Sequence, residues 1–223
     1  MGIDLDSRRW ARRCAFVAIA VVVATAGLIA PATVPAPGVV PSASAACPAV
    51  EVIFARGRLE SPGVGVLGNA FISALRSKTN KNVGVYAVQY PADNQIDVGA
   101  NDMSAHIQSM MNNCPDTRLV LGGYSQGAAV VDVIAAVPMP ALGFNNPLPP
   151  NAPDHVAAVA AFGNPSAKLG LPLTVSPVWG GRAIDLCNGG DPICQTDGES
   201  LASHRSYVGG PTSQAAGFAA GLL

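Results

Sequence analysis

Ser125 stands in the run Gly123-Tyr124-Ser125-Gln126-Gly127, between an apolar stretch at Leu119 to Leu121 and an alanine-rich helical pattern from Ala128 to Ala136. A serine on a sharp strand-to-helix turn is the nucleophile elbow, written G-x-S-x-G. Its geometry explains the glycines. The turn holds the serine in a strained backbone conformation, and a side chain two positions either side would collide with neighbouring chain. In a chain with 24 glycines the motif alone is weak, and its bland reading is a glycine-rich loop with a capping serine. The strand before it and the helix after it give it weight.

A serine hydroxyl is a weak nucleophile at neutral pH, so it needs a base, usually histidine, oriented by a carboxylate. The chain has three histidines. On this kind of elbow the partners follow in the order Ser, Asp or Glu, His. His106 precedes Ser125 within a helical pattern and reads as a helix-surface residue. His155 opens a strand, and between it and the serine the only acids are Asp132 and the adjacent Asp154, so it reads as structural. His204, in the loop "DGESLASHRSY", is the preferred base. Three aspartates qualify as its partner. Asp185 lies within a strand and Asp197 in an open turn beside Gly198, whereas Asp191 lies inside "CNGGDPIC", where a disulfide and Pro192 would hold the carboxylate steady. The oxyanion of an acyl intermediate needs backbone donors: the amide of Gln126, and one from the loop "FARGRLESPGVG", where Arg58 is the choice.

The elements that must position these groups sit in 223 residues that are 49% hydrophobic and 12% charged, with a net charge of −1, enough for one well-buried domain. There is no basic face to argue for nucleic acid. "MGIDLDSRRWARRC" is a positively charged start, "AFVAIAVVVATAGLIA" an apolar core of 16 residues, and "SASA" offers small residues at Ala43 and Ala45 for cleavage. This reads as a secretory signal peptide rather than a membrane span, which needs about 18 or more apolar residues. With the Pro/Ala-rich spacer it occupies residues 1–45, leaving 46–223 as one domain of a secreted protein, extracellular or associated with the cell wall. Ser7-Arg8-Arg9 hints at twin-arginine export, but Trp10 and Ala11 fit it poorly.

Cys14 leaves with the signal, so Cys47, Cys114, Cys187 and Cys194 remain, which in an exported chain suggests two disulfides. Of three connectivities, the short Cys187 to Cys194 segment most easily closes on itself, leaving Cys47 with Cys114. The four thiols lack the paired C-x-x-C spacing that zinc prefers, and no metal or cofactor is expected. Apolar runs recur at "AVEVIFARG", "VGVYAVQYP", "RLVLGGYS", "HVAAVAAFGNP" and "RAIDLC". Helical patterns separate the first four: Val64 to Lys78, Ile96 to Asn113 and Gln126 to Val137, with a last helix near Gln214 to Leu223. The alternation predicts a doubly wound α/β domain, three layers (α/β/α) around a central five-stranded parallel sheet. "VPMPALGFNNPLPPNAP" is too proline-rich for regular structure and reads as a surface loop.

Taken together these residues resemble the cutinase family of secreted serine esterases over nearly the whole mature chain. The carrying motifs are "FARG", "CPDTRLVLGGYSQGA", "CNGGDPIC" and "SHRSY", with eleven residues from Cys47 to Arg58 and again from Cys114 to Ser125, and thirteen from Asp191 to His204. The resemblance implies disulfides Cys47 to Cys114 and Cys187 to Cys194, a triad of Ser125, Asp191 and His204, an oxyanion hole from the amides of Arg58 and Gln126, and a small hydrolase fold without a large lid. Fungal members carry a serine where this chain has Arg58. That arginine and the export signal look more like the cutinase-like proteins of mycobacteria, which are associated with lipid or simple ester substrates. The expected activity is hydrolysis of carboxylic esters of short to medium acyl length, lipids among them, by a monomer that meets a small ester or lipid substrate and a cell-wall or membrane lipid surface. Phospholipase, thioesterase and acetylxylan esterase share the chemistry and differ in the pocket. A non-catalytic wall-associated protein is the rival from another class. A lipid anchor on Cys47 fits poorly because Ser44 stands where a large aliphatic residue is needed.

Overall fold

The computed structural model describes residues 47–223. The segment read as signal peptide and spacer lies outside the described residues. Five strands, β1 (Val50–Ala55), β2 (Val83–Ala87), β3 (Arg118–Tyr124), β4 (Val156–Phe162) and β5 (Ala183–Leu186), form one sheet in the order β2-β1-β3-β4-β5. Every pairing is parallel. A parallel sheet is covered on both faces, which is why β1 and β4 are buried at every position and read as continuous apolar runs.

Two helix layers supply the cover. On one face α2 (Ile96–Asn113) and α3 (Gln126–Ala136) pack against Ile53, Leu119, Leu121 and Val159. Met103, Ile107 and Met110 recur at helical spacing and turn one stripe of α2 to the sheet. On the other face α1 (Gly65–Arg76) and α6 (Gly210–Ala220) enclose Val52, Phe54, Val120 and Phe162. Alternate residues of each strand thus serve opposite layers, as a period of two requires. The architecture is the three-layer α/β/α arrangement with a five-stranded parallel sheet.

Some boundaries differ from the sequence reading. Helix α6 begins at Gly210 rather than Gln214, because Pro211 occupies its first turn and Thr212 Oγ1 accepts from the Gly209 N–H at 3.0 Å. Short helices α4 (Ala152–His155) and α5 (Leu201–His204) and three 3-10 turns occupy connections read as loop. The proline-rich segment is irregular up to the start of α4 at Ala152, apart from one bridge between Ala141 and Phe144. Leu142 there is fully exposed, while Phe144 is buried and anchors the loop. Strand order reverses between β1 and β3, so the crevice beyond their carboxyl ends is where an open α/β sheet presents its ligand site.

Candidate active site

Strand β3 ends at Tyr124 and α3 starts at Gln126, so Ser125 is the whole turn. Its backbone sits at φ 54°, ψ −116°, the left-handed side that L-residues avoid. Close approach explains the two motif glycines. A side chain at Gly123 would run into the carbonyl of Gly127, and one at Gly127 into the carbonyls of Ala55 and Arg56. The second glycine therefore lets α3 lie against the end of β1, bringing the β1 loop to the elbow. The Ser125 N–H donates to Phe162 O at 2.9 Å, which ties the turn to β4.

Three candidate side chains meet there. Ser125 Oγ lies 2.9 Å from His204 Nε2, and His204 Nδ1 lies 2.8 Å from Asp191 Oδ2. Asp191 is fully buried, and burial alone would push its carboxyl up. Hydrogen bonds from Tyr207, His204 and the Ile193 amide outweigh burial and hold it below the usual carboxylate range. An ionised carboxylate only accepts, so His204 donates its Nδ1–H and leaves Nε2 to accept from the serine hydroxyl. That arrangement can take the proton from Ser125 as its oxygen attacks a carbonyl.

The carboxylate is fixed by its loop. The Cys187–Cys194 disulfide closes it with Cα atoms 5.8 Å apart, and Lys168 Nζ donates to Pro192 O at 2.9 Å. The second disulfide joins Cys47 to Cys114. Asp185 and Asp197 lie elsewhere: Asp185 accepts from Asn164 and from the Leu173 amide within β5, and Asp197 is exposed. His155 is half-buried at the end of α4. His106 is more than a helix-surface residue. It pairs with Glu51 at 2.8 Å and stacks on Tyr86 with ring centroids 3.5 Å apart, a bracket between α2 and the sheet.

The β1 loop is braced by a buried guanidinium. Arg56 donates from Nε to Glu60 O (2.8 Å) and from Nη2 to Tyr90 O (2.6 Å), and Tyr90 returns a hydrogen bond from its hydroxyl to Arg56 O. Glu60 accepts from the Gly57 amide at 2.6 Å. Among the described residues, neither the Arg58 N–H nor the Gln126 N–H is a donor to a protein acceptor. The Arg58 side chain is exposed and shares a cavity of about 290 Å3 with Tyr124, Arg205 and Val208. The Gln126 side chain, by contrast, is buried with both polar atoms unpartnered.

Three residues that sequence reasoning missed hold the imidazole. Tyr207 is buried, donates to Asp191 Oδ2 at 2.6 Å and accepts from the Asn188 N–H at 3.0 Å. Burial and the neighbouring carboxylate push its phenol up, so it stays a donor. Tyr124 stacks on His204 with centroids 5.0 Å apart and donates to its carbonyl at 2.8 Å. Gly163, at φ 57°, floors the pair: a Cβ there would lie 2.9 Å from His204 and 3.1 Å from Asp191 Oδ2. The available signals were a glycine directly after a strand and a tyrosine three residues beyond the histidine.

Comparison with known proteins extends this picture. Residues 46–223 match the family described as Cutinase. The chain is 61% identical over 189 residues to the probable carboxylesterase Culp2 of Mycobacterium tuberculosis, covering 81% of this chain and 82% of that one. It is 55% identical over 185 residues to the phospholipase Culp4 of the same organism, covering 81% of each. Among solved structures, a Trichoderma reesei cutinase in complex with a phosphonate inhibitor has a TM-score of 0.66 at 33% identity, covering 79% of this chain and 77% of that one. The catalytic core domain of acetyl xylan esterase from Trichoderma reesei has a TM-score of 0.70 at 27% identity, covering 79% and 100%.

Proposed function

The chain belongs to the cutinase family and is a carboxylic-ester hydrolase, and on that premise we propose that Ser125, His204 and Asp191 carry the reaction as a triad in a secreted enzyme. The observation that supports this reading is the unbroken relay from Ser125 Oγ through His204 to Asp191, at 2.9 and 2.8 Å. His204 Nε2 takes the hydroxyl proton as Ser125 Oγ bonds to the ester carbonyl carbon. The resulting oxyanion accepts from the N–H groups of Arg58 and Gln126. Collapse expels the alcohol, protonated by His204, and leaves an acyl-serine. Water then repeats the sequence, giving its proton to His204 and releasing the acid. Asp191 stays ionised throughout, stabilising the imidazolium that forms twice per turnover.

Labelling with a fluorophosphonate tests the nucleophile: the tag is expected on Ser125 alone and absent from Ser125→Ala. Ser125→Ala is expected to lose on the order of 10⁶ in kcat. Turnover within tenfold of wild type would remove the assignment. Export is supported by the two disulfides, and N-terminal sequencing of protein from culture medium is expected to begin near Ala46.

The substrate class within the family has one specific pointer. Arg58 and Arg205 flank the small cavity beside Tyr124, and among the described residues neither has an ion-pair partner. Glu60 on the same cavity is engaged by the Gly57 and Val66 amides, so the two guanidinium groups free to pair favour an ester carrying a phosphate or another anion, in keeping with the similarity to a phospholipase. Exposed Val66 and Val208 on the same cavity suit an apolar chain or a lipid surface. Arg58→Ala and Arg205→Ala together are expected to raise KM for an anionic ester several-fold and leave a neutral ester of equal acyl length unaffected. Equal effects on both would return the choice to simple esters.

A further inference from the structure

A cavity of about 750 Å3, more than twice the volume of the one beside Tyr124, lies between the second half of α3, the chain from Leu148 to Pro153 and the turn-rich connection from β4 to β5. Small-molecule sites span roughly 300–1,000 Å3. Its walls are largely apolar, Ile134, Val137, Leu148 and Trp179 among them. Trp179 is fixed as a wall by donating its Nε1–H to Ala135 O at 3.0 Å. At the rim, Leu171, Val175 and Val178 are 63%, 62% and 51% exposed within one short stretch, a cluster rather than scattered surface residues.

One end is polar. Asp132 and Ser166 line it, and Asp132 Oδ1 accepts from Nδ2 of the buried Asn164 at 3.1 Å. Burial pushes the Asp132 carboxyl up to about 6, so at pH 8 it is ionised and can only accept. Seven residues of helix put it about 10 Å along α3 from Ser125. We propose that this cavity binds a single-chain amphiphile with a hydroxyl head, a long-chain primary alcohol being the simplest, its chain against Trp179 and its head donating to the Asp132 carboxylate. An ionised fatty acid would set carboxylate against carboxylate, and an alkane would bring no donor to a carboxylate that can accept more than the Asn164 bond it holds. No bond is made or broken there, so the site is separate from the chemistry at Ser125.

Of the chain's two tryptophans, Trp10 lies in the segment read as signal peptide, so the exported form that begins near Ala46 carries Trp179 as its sole indole and a direct reporter. In that form at pH 8, 1-decanol is expected to change Trp179 emission saturably, and decanoate to bind roughly tenfold more weakly or not at all. Leu171→Asp at the rim is expected to weaken decanol about tenfold with the unfolding midpoint retained. Asp132→Leu is expected to abolish the preference for alcohol over acid. Blocking Ser125 beforehand with a fluorophosphonate is expected to leave the titration unchanged. Absence of a saturable signal, equal affinity for decanol and decanoate, or full binding by Leu171→Asp would overturn the proposal. Loss of binding on blocking Ser125 would move the alcohol to the catalytic crevice and overturn it equally. A dimer in sedimentation that Leu171→Asp splits and decanol does not affect would make the face a contact between copies instead.

Discussion

His204 is constrained from four directions: Asp191 at Nδ1, the Tyr124 ring along its face, Gly163 beneath, and Tyr207 edge-on at 6.3 Å. Tyr207 acts through another residue, since it touches Asp191 and not the serine. It is a positioning residue, and its loss leaves Asp191 Oδ2 with one donor. Tyr207→Phe is expected to lower kcat about tenfold, the worth of one hydrogen bond to a charged group, with KM unchanged. Its acid limb is expected to move to higher pH, because a carboxyl that loses a donor is protonated more easily. A merely structural tyrosine would lower the unfolding midpoint and leave that limb in place. Chain order and residue type were sufficient to single out Ser125, Asp191 and His204 as candidates, and those side chains meet in space. Tyr124, Gly163 and Tyr207 escaped because they work by contact and shape, which spacing along the chain does not encode. Trp179 lines a cavity away from the serine.

At the level of elements, the two disulfides divide their work by loop length. In the chain-entropy account the 67-residue span from Cys47 to Cys114 stabilises by about 4 kcal/mol and the seven-residue span from Cys187 to Cys194 by about 2.5 kcal/mol. The short loop carries Asp191 and contributes geometry. Cys187→Ser with Cys194→Ser is accordingly expected to cut kcat at least tenfold at 25 °C, with a smaller fall in urea midpoint than Cys47→Ser with Cys114→Ser produces. Turnover equal to wild type in the former variant would detach the disulfide from the positioning of Asp191. The strands were legible because a buried parallel sheet demands unbroken apolar runs, and α1 to α3 because each shows a helical stripe. The start of α6 was not, since its signal is the Gly-Gly-Pro-Thr cap at Gly209 to Thr212 and precedes any apolar repeat. The short turns between β4 and β5 lack periodicity altogether, being held by single contacts such as Asn164 Oδ1 with the Ser166 amide.

Across the whole molecule, the buried carboxyls pull stability in opposite directions with pH. Burial raises Asp132 and Asp185, so each binds a proton more readily folded than unfolded. Their contribution to stability is therefore greatest below the unfolded carboxyl value near 4, and that of Asp132 falls as pH rises toward its folded value, about 6, beyond which the loss is complete. Asp191 is held low, and its contribution, present above the unfolded value, disappears as pH falls through its folded value. Asp132→Asn keeps an acceptor for Asn164 without the charge. Urea unfolding is expected to show it more stable than wild type by up to about 2 kcal/mol at pH 7.5 and no more stable below pH 4. A gain of equal size at both pH values would point to packing instead of charge. The strained turn at Ser125 also reaches the whole chain. A residue held at φ 54° costs about 1–3 kcal/mol, and glycine at that place escapes it. Ser125→Gly is expected to unfold a few degrees higher than Ser125→Ala, although both lack the hydroxyl. Heat tolerance and turnover thus pull residue 125 toward different amino acids. A laboratory lineage selected for survival at high temperature alone would drift to glycine there and arrive at a sturdier, silent protein.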